Sequence, residues 1–127
     1  MGFSTIDYVV LVAPLTPETR GMLGEAELHA MRPEAWLVNV GRGALVQEEA
    51  LVRALQERWI AGAILDVFAE EPLPTEHPLW GMPNVAITPH VAGPSDPGEI
   101  APIFNENLRR FLEGKALKGR VDLRRGY

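Results

Sequence analysis

The sequence predicts an α/β fold, half of a doubly wound parallel sheet: about four strands with helices on both faces, followed by a C-terminal helix. Three observations carry this expectation. Short apolar runs of strand length recur at 7–13, 36–40, 60–67 and 85–88, and runs that do not alternate with polar residues read as strands buried on both faces, as parallel strands are. Segments of helical periodicity separate the runs, and such alternation implies right-handed crossovers. Finally, Arg42, Glu71 and His90 each follow the carboxyl end of an apolar run, the edge at which open α/β sheets bind ligands.

The first strand is DYVVLVA, 7–13, closed by Pro14. A helix is expected over 23–31, with Glu25 and Glu27 near its start and Arg32-Pro33 at its end, where proline disfavours continuation. The second strand, Trp36 to Val40, is broken sharply by Gly41-Arg42-Gly43. Residues 47–58 carry the clearest amphipathic pattern: Glu48 and Glu49 in the first turn, Leu51, Ala54 and Leu55 on one face, and Arg53, Gln56 and Glu57 on the other. A third strand spans Ile60 to Val67 and leads into a proline-rich loop from Glu71-Pro72-Leu73-Pro74 to Pro83. Val85 to Thr88 forms the fourth strand. The last helix is expected from about Asp96 or Gly98 to Glu113, with Ile100, Phe104, Leu108, Phe111 and Leu112 as its apolar stripe and Gly114 as its C-cap. The tail from Lys115 to Tyr127 is polar, and no repeat or low-complexity tract interrupts the chain.

Composition narrows the function classes. With 127 residues, 46% apolar and 23% charged, the chain is sized and balanced for one globular domain. Its net charge of -5 comes from interspersed charges, so neither nucleic acid nor a membrane surface is expected as a partner. No apolar run reaches the roughly 18 residues of a membrane span, and the N-terminus lacks the parts of a signal peptide, so a cytoplasmic location is expected. The absence of cysteine fits a reducing compartment and removes thiol catalysis, thiolate zinc sites and disulfides. No metal site is expected.

Arg42, Glu71 and His90 match what hydride transfer between a nicotinamide and a 2-oxo or 2-hydroxy acid requires. An arginine fork holds a carboxylate and its neighbouring carbonyl as a lysine cannot. Histidine exchanges protons near neutral pH. A carboxylate bonded to that imidazole fixes its tautomer and favours its protonated form. Each residue also has a plainer explanation: Arg42 as a solvated turn residue, Glu71 as a surface charge, His90 as a satisfied strand-end histidine. Joint placement at three strand ends favours the chemical role, because independent surface residues have no reason to converge. His29 and His77 match no such role and read as ordinary surface or loop residues.

The runs VAPLTPETRGML, AWLVNVGRGALVQEEALVRAL, GAILDVFAEEPLP and PNVAITPHVAG closely resemble the D-isomer-specific 2-hydroxyacid dehydrogenases, and together cover most of residues 7–93. This resemblance implies a Rossmann-like fold, with Arg42 binding substrate, Glu71 orienting the histidine and His90 as the acid–base catalyst. It further implies NAD or NADP as cofactor. Asp66 would accept from the nicotinamide carboxamide, although a cap or turn aspartate is its structural alternative. Backbone groups of Ala13, Pro14, Val40 and Gly41, and the stretch from His90 to Gly93, would line the dinucleotide cleft, while the glycines have tight turns as a purely structural explanation. The HPLW segment and the VDLRRGY ending look similar to the glyoxylate and hydroxypyruvate reductase branch, so a small unphosphorylated 2-oxo acid is the expected substrate. Formate dehydrogenases fit less well, having glutamine where Glu71 stands.

Complete members of that family also have a substrate domain and a glycine-rich phosphate loop, and this sequence contains neither. Residues 1–127 are therefore expected to correspond to the second half of the dinucleotide domain with its C-terminal segment, binding cofactor weakly or not at all and nearly inactive alone. The first strand would then present an apolar edge, covered by self-association into a homo-oligomer or by pairing with a polypeptide that carries the front half. Two other readings stay open. One is a nonenzymatic oligomerisation or binding module, corepressor-like, since fold does not fix function; the other is a related NAD enzyme with different substrates.

Overall fold

A computed structural model of the chain describes residues 3–93 and 95–125; the last two residues of the VDLRRGY ending lie outside them. The chain divides into two compact units, Met1–Ala92 and Gly93–Tyr127. The first holds β1 (Tyr8–Leu11), α1 (Glu25–Ala30), β2 (Trp36–Asn39), α2 (Glu48–Gln56), β3 (Gly62–Leu65) and β4 (Val85–Ile87), with single 3-10 turns at Phe3–Thr5, Gly43–Leu45 and Pro78–Gly81. The four strands form one sheet in the order β1-β2-β3-β4, all parallel. Each strand is shorter than its apolar run, because the flanking residues lead into the turns that join strands to helices.

Register explains the core. Val9, Leu37, Ala63 and Val85 are aligned across the sheet, as are Leu11, Asn39, Leu65 and Ile87. In this register, side chains of both rows stand on one face. That face meets Leu28 of α1 and Ala50, Leu51, Ala54 and Leu55 of α2 in a single apolar cluster, which Leu73 and Leu79 of the long loop complete. Burying each of these leucines contributes about 1.5–3 kcal/mol relative to exposure. The α2 residues are those its periodicity selects, and Glu48 and Glu49 sit in its first turn, where their charge complements the helix dipole. At the start of α1 the Glu27 carboxylate accepts from the Gly24 N–H at 2.9 Å, half of a capping box.

The opposite face corrects two expectations. Within the first unit both α-helices pack on the same side of the sheet, where helices on both faces were expected. Nor is β1 buried on both faces: Tyr8 is 65% and Val10 54% exposed, alternating with buried Val9 and Leu11. Topology supplies the reason. Every crossover here adds its strand in the same direction across the sheet, and right-handed crossovers made in one direction all pass over one face. Only a reversal of strand order places helices on the other.

In the second unit, α3 spans Pro97–Leu112. Asp96 caps it, its carboxylate accepting from the Gly98 N–H at 2.8 Å, with Pro97 in the first turn. Gly114, at φ +67°, closes the other end as the expected C-cap glycine, and the Lys115 N–H donates to Arg110 O at 2.8 Å. The apolar stripe is real but unburied, since Phe104, Phe111 and Leu112 are 63, 68 and 76% exposed. No helix among the described residues is long and apolar enough to cross a membrane.

Candidate active site at the carboxyl ends of the strands

The turn after β2 is set by Asn39, a buried polar residue inside an apolar run. Its side chain accepts from the Gly41 N–H at 3.1 Å and donates to Arg42 O at 3.0 Å, so one amide fixes both flanks of the turn. Gly41 packs tightly here: an added Cβ would lie 3.1 Å from Ala13 O and 3.3 Å from Leu11 O. The turn is thus pressed against the residues following β1, and Val40 N–H extends the ladder to Leu11 O at 3.2 Å. Ala13, Val40 and Gly41 therefore come together at the strand ends. Pro14 follows, its carbonyl accepting from the Thr19 hydroxyl at 2.8 Å. Sequence reasoning passed over Asn39; the only signal was an amide side chain amid apolar residues.

Arg42 is exposed, and its Nη1 donates to Gly41 O at 2.7 Å. The next residue binds this turn to the loop after β3. A Cβ on Gly43 would fall 1.9 Å from the Phe68 carbonyl carbon and 2.1 Å from its oxygen, so the two segments touch only because residue 43 has no side chain. Glu71 stands on that loop, and its peptide bond to Pro72 is cis. Its Oε1 accepts from the Phe68 N–H at 2.9 Å, and its Oε2 lies 2.7 Å from His90 Nδ1. The hydrogen bond from His90, foremost, then that from the Phe68 amide and the more distant Arg42 charge hold the Glu71 carboxyl below the ordinary glutamate range.

His90 follows β4 with φ +54° and its N–H donating to Asp66 O at 2.9 Å. A non-glycine residue in the left-handed region is uncommon and persists where its surroundings dictate it. Asp66 supplies that control. It is 2% exposed; its carboxylate accepts from the Thr88 hydroxyl and from the Val91 and Ala92 N–H groups, each of the latter at 2.9 Å. The Thr88 bond, with the two amides, holds the carboxyl below its ordinary range against the opposing effect of burial. Asp66 thus bonds the turn that carries His90, and it also lines the hollow beside the Glu71–His90 pair.

The imidazole side chain of His90 is 49% exposed. Glu71 engages Nδ1, so Nε2 is left without a partner among the described residues. Beside the pair opens a hollow of about 410 Å³, walled by Phe68, Leu73, Trp80, Ile87 and Pro89. Glu71 and His90 are thus in direct contact, Arg42 is near enough to stabilise the Glu71 charge, and all three sit at the same edge of the sheet. Gly93 belongs to the second unit, where an added Cβ would meet nothing within 4 Å. His77 is a loop residue, as the sequence suggested, but its side chain is 15% exposed and both ring nitrogens are engaged.

Known proteins share this arrangement of segments. Residues 2–92 match the family model described as D-isomer specific 2-hydroxyacid dehydrogenase, NAD binding domain. The glyoxylate/hydroxypyruvate reductase A of Photorhabdus laumondii is 40% identical over 119 residues, covering 94% of this chain and 38% of that protein. The glyoxylate reductase of Aeropyrum pernix is 49% identical over 111 residues, covering 86% of this chain and 33% of its own length. Among solved structures, the D-isomer specific 2-hydroxyacid dehydrogenase from Xanthobacter autotrophicus Py2, in complex with NADPH and MES, superposes with a TM-score of 0.90 at 47% identity, covering 95% of this chain and 50% of that one. The chain spans between a third and two fifths of the length of these curated relatives. With parallel sheet, strand-end site and family model in agreement, the chain belongs to the D-isomer specific 2-hydroxyacid dehydrogenase family, as part of its NAD-binding domain.

Proposed function

We propose that this chain carries the acid–base and substrate-anchoring residues of an oxidoreductase that interconverts a small 2-oxo acid, glyoxylate or hydroxypyruvate, and its 2-hydroxy acid. The observation that carries the proposal is the 2.7 Å contact between His90 Nδ1 and Glu71, which leaves Nε2 open at the sheet edge that Arg42 also occupies. NAD or NADP, when bound, supplies the hydride. The residues present fit the nicotinamide end of such a cofactor: Ala13, Pro14, Val40 and Gly41 bring main chain from two strand ends to the same edge. No glycine-rich phosphate loop occurs in the sequence, so binding by the isolated chain is weak or absent.

Arg42 would hold the substrate carboxylate in its planar fork and place the carbonyl oxygen toward His90. His90 would donate the Nε2 proton to that oxygen as it gains charge, and recover it from the alcohol in the reverse direction. Glu71 keeps a proton on Nδ1 and stabilises the imidazolium. Asp66, through Val91 and Ala92, would fix the backbone bend that aims the ring. We further propose that the edge of β1 is covered, by a second copy or by a polypeptide carrying the front half of the domain. Exposed Tyr8, Val10 and Val12 support this.

The deciding experiment joins this chain in frame to the substrate domain and phosphate-loop half of a glyoxylate reductase such as that of Aeropyrum pernix, then follows NADH and NADPH oxidation with glyoxylate and hydroxypyruvate. His90→Gln should lower kcat by about 10²–10⁴-fold, the usual contribution of a general acid. Equal rates with and without His90 would remove it from the chemistry. A nonenzymatic module predicts no turnover in either protein.

A further inference from the structure

Glu71 is only as well placed as the loop on which it stands, and that loop is tied down at two points by one side chain. Glu48, in the first turn of α2, accepts from the Ala69 N–H at 3.5 Å through one carboxylate oxygen, while the other lies 3.3 Å from His77 Nε2. On its far side, His77 Nδ1 accepts from the Leu79 N–H at 3.3 Å. An acceptor at Nδ1 requires the proton at Nε2, so the ring bonds donate in one direction, from Leu79 through His77 to Glu48. The two tethered residues flank Glu71, two positions before it and six after. Leu79, at 1% exposure, anchors the distal end in the core, and Gly43 admits the Phe68 main chain from below.

We propose that Glu48 and His77 are a positioning pair that clamps both ends of the loop bearing Glu71, so that its carboxylate meets His90 at bonding distance. This rests on the assignment of Glu71 and His90 as the acid–base pair, but is tested without measuring catalysis. A plainer role for each residue exists, Glu48 answering the helix dipole and His77 capping the Pro78–Gly81 turn. Two substitutions separate that role from the clamp. Asparagine retains an acceptor near the Nδ1 position but cannot reach Glu48, whereas glutamine extends a donor toward Glu48 and gives up the cap.

The test follows the Glu71 carboxyl by NMR titration and the Ala69 amide by hydrogen exchange, in the 127-residue chain and in Glu48→Ala, His77→Asn and His77→Gln. The clamp requires the Glu71 midpoint to move up toward that of an ordinary glutamate in Glu48→Ala and His77→Asn, with His77→Gln closer to the unsubstituted chain. Ala69 exchange should rise by roughly tenfold in Glu48→Ala, on the scale of losing one hydrogen bond. An unmoved Glu71 midpoint in Glu48→Ala, or a change in His77→Gln larger than in His77→Asn, would overturn the clamp while leaving the acid–base assignment intact. Thermal melts identify any variant that fails to fold, and the milder Glu48→Gln then replaces Glu48→Ala, with the same outcomes required.

Discussion

Single carboxylates set how this site responds to acid. Asp66 and Glu71 both titrate below their ordinary ranges, the first because Thr88 and two backbone amides donate to it, the second because His90 and the Phe68 amide do. A depressed carboxyl binds its proton more weakly in the fold than in the unfolded chain, so its contribution to stability is present above the ordinary carboxylate range and is lost as pH falls through the lowered value. Urea unfolding should therefore show stability declining on the acid side of that range, with Asp66→Asn and Glu71→Gln each flattening part of the decline. Variants that keep the full acid sensitivity would place its origin elsewhere. At this scale the placement of Arg42, Glu71 and His90 after strand ends was legible, because the apolar runs before them are a local pattern; their chemical roles belong to the proposal. The contacts of His77 and Asn39 were not legible, because an imidazole or amide in a sequence does not declare its bonding partners. Asp66 was legible in position, but its three donors come from residues 22 to 26 positions away.

Turns rather than helices bring the site together. The segment after β2 and the loop after β3 meet at Gly43, where any side chain would overlap the Phe68 main chain. Gly43→Ala must move one of them. We expect it to destabilise the chain by about 1–3 kcal/mol, the usual cost of overpacking, and to raise the Glu71 midpoint as the Phe68 turn shifts. Denaturant unfolding with the same NMR titration measures both, and an unchanged Glu71 would show that the two segments move independently. The sequence marks Gly41-Arg42-Gly43 as a break in a strand. Which neighbour each glycine must admit follows only from the packed fold: Gly41 faces the Ala13 and Leu11 carbonyls, Gly43 faces Phe68. Helix boundaries were more readable, because acidic first turns, Asp96 and Gly114 act locally.

At the largest scale, the edge strand β1 of the first unit stands out. Tyr8, Val10 and Val12 are exposed, and among the described residues β1 pairs with β2 alone, so it is an edge strand. Such an edge favours association, so the purified chain should scatter light as more than a monomer, and Val10→Lys should shift it toward monomer without loss of helical circular dichroism. A monodisperse monomer at high concentration before any substitution would end the association proposal. NADH titrations followed by the fluorescence of Trp36, Trp59 and Trp80 should show weak binding at most, and micromolar affinity would contradict the proposal that the isolated chain binds cofactor weakly or not at all. By itself the sequence determined the alternation of strand and helix, the parallel sheet, and three chemical groups at its rim, because apolar periodicity, capping and residue chemistry are local properties. The tertiary structure alone decided that both packed helices share one face, that Asp66 bonds Thr88, Val91 and Ala92, and that Glu48 and His77 reach the loop of Glu71. These depend on crossover direction and on contacts between residues far apart in the chain, for which a one-dimensional pattern carries no signal.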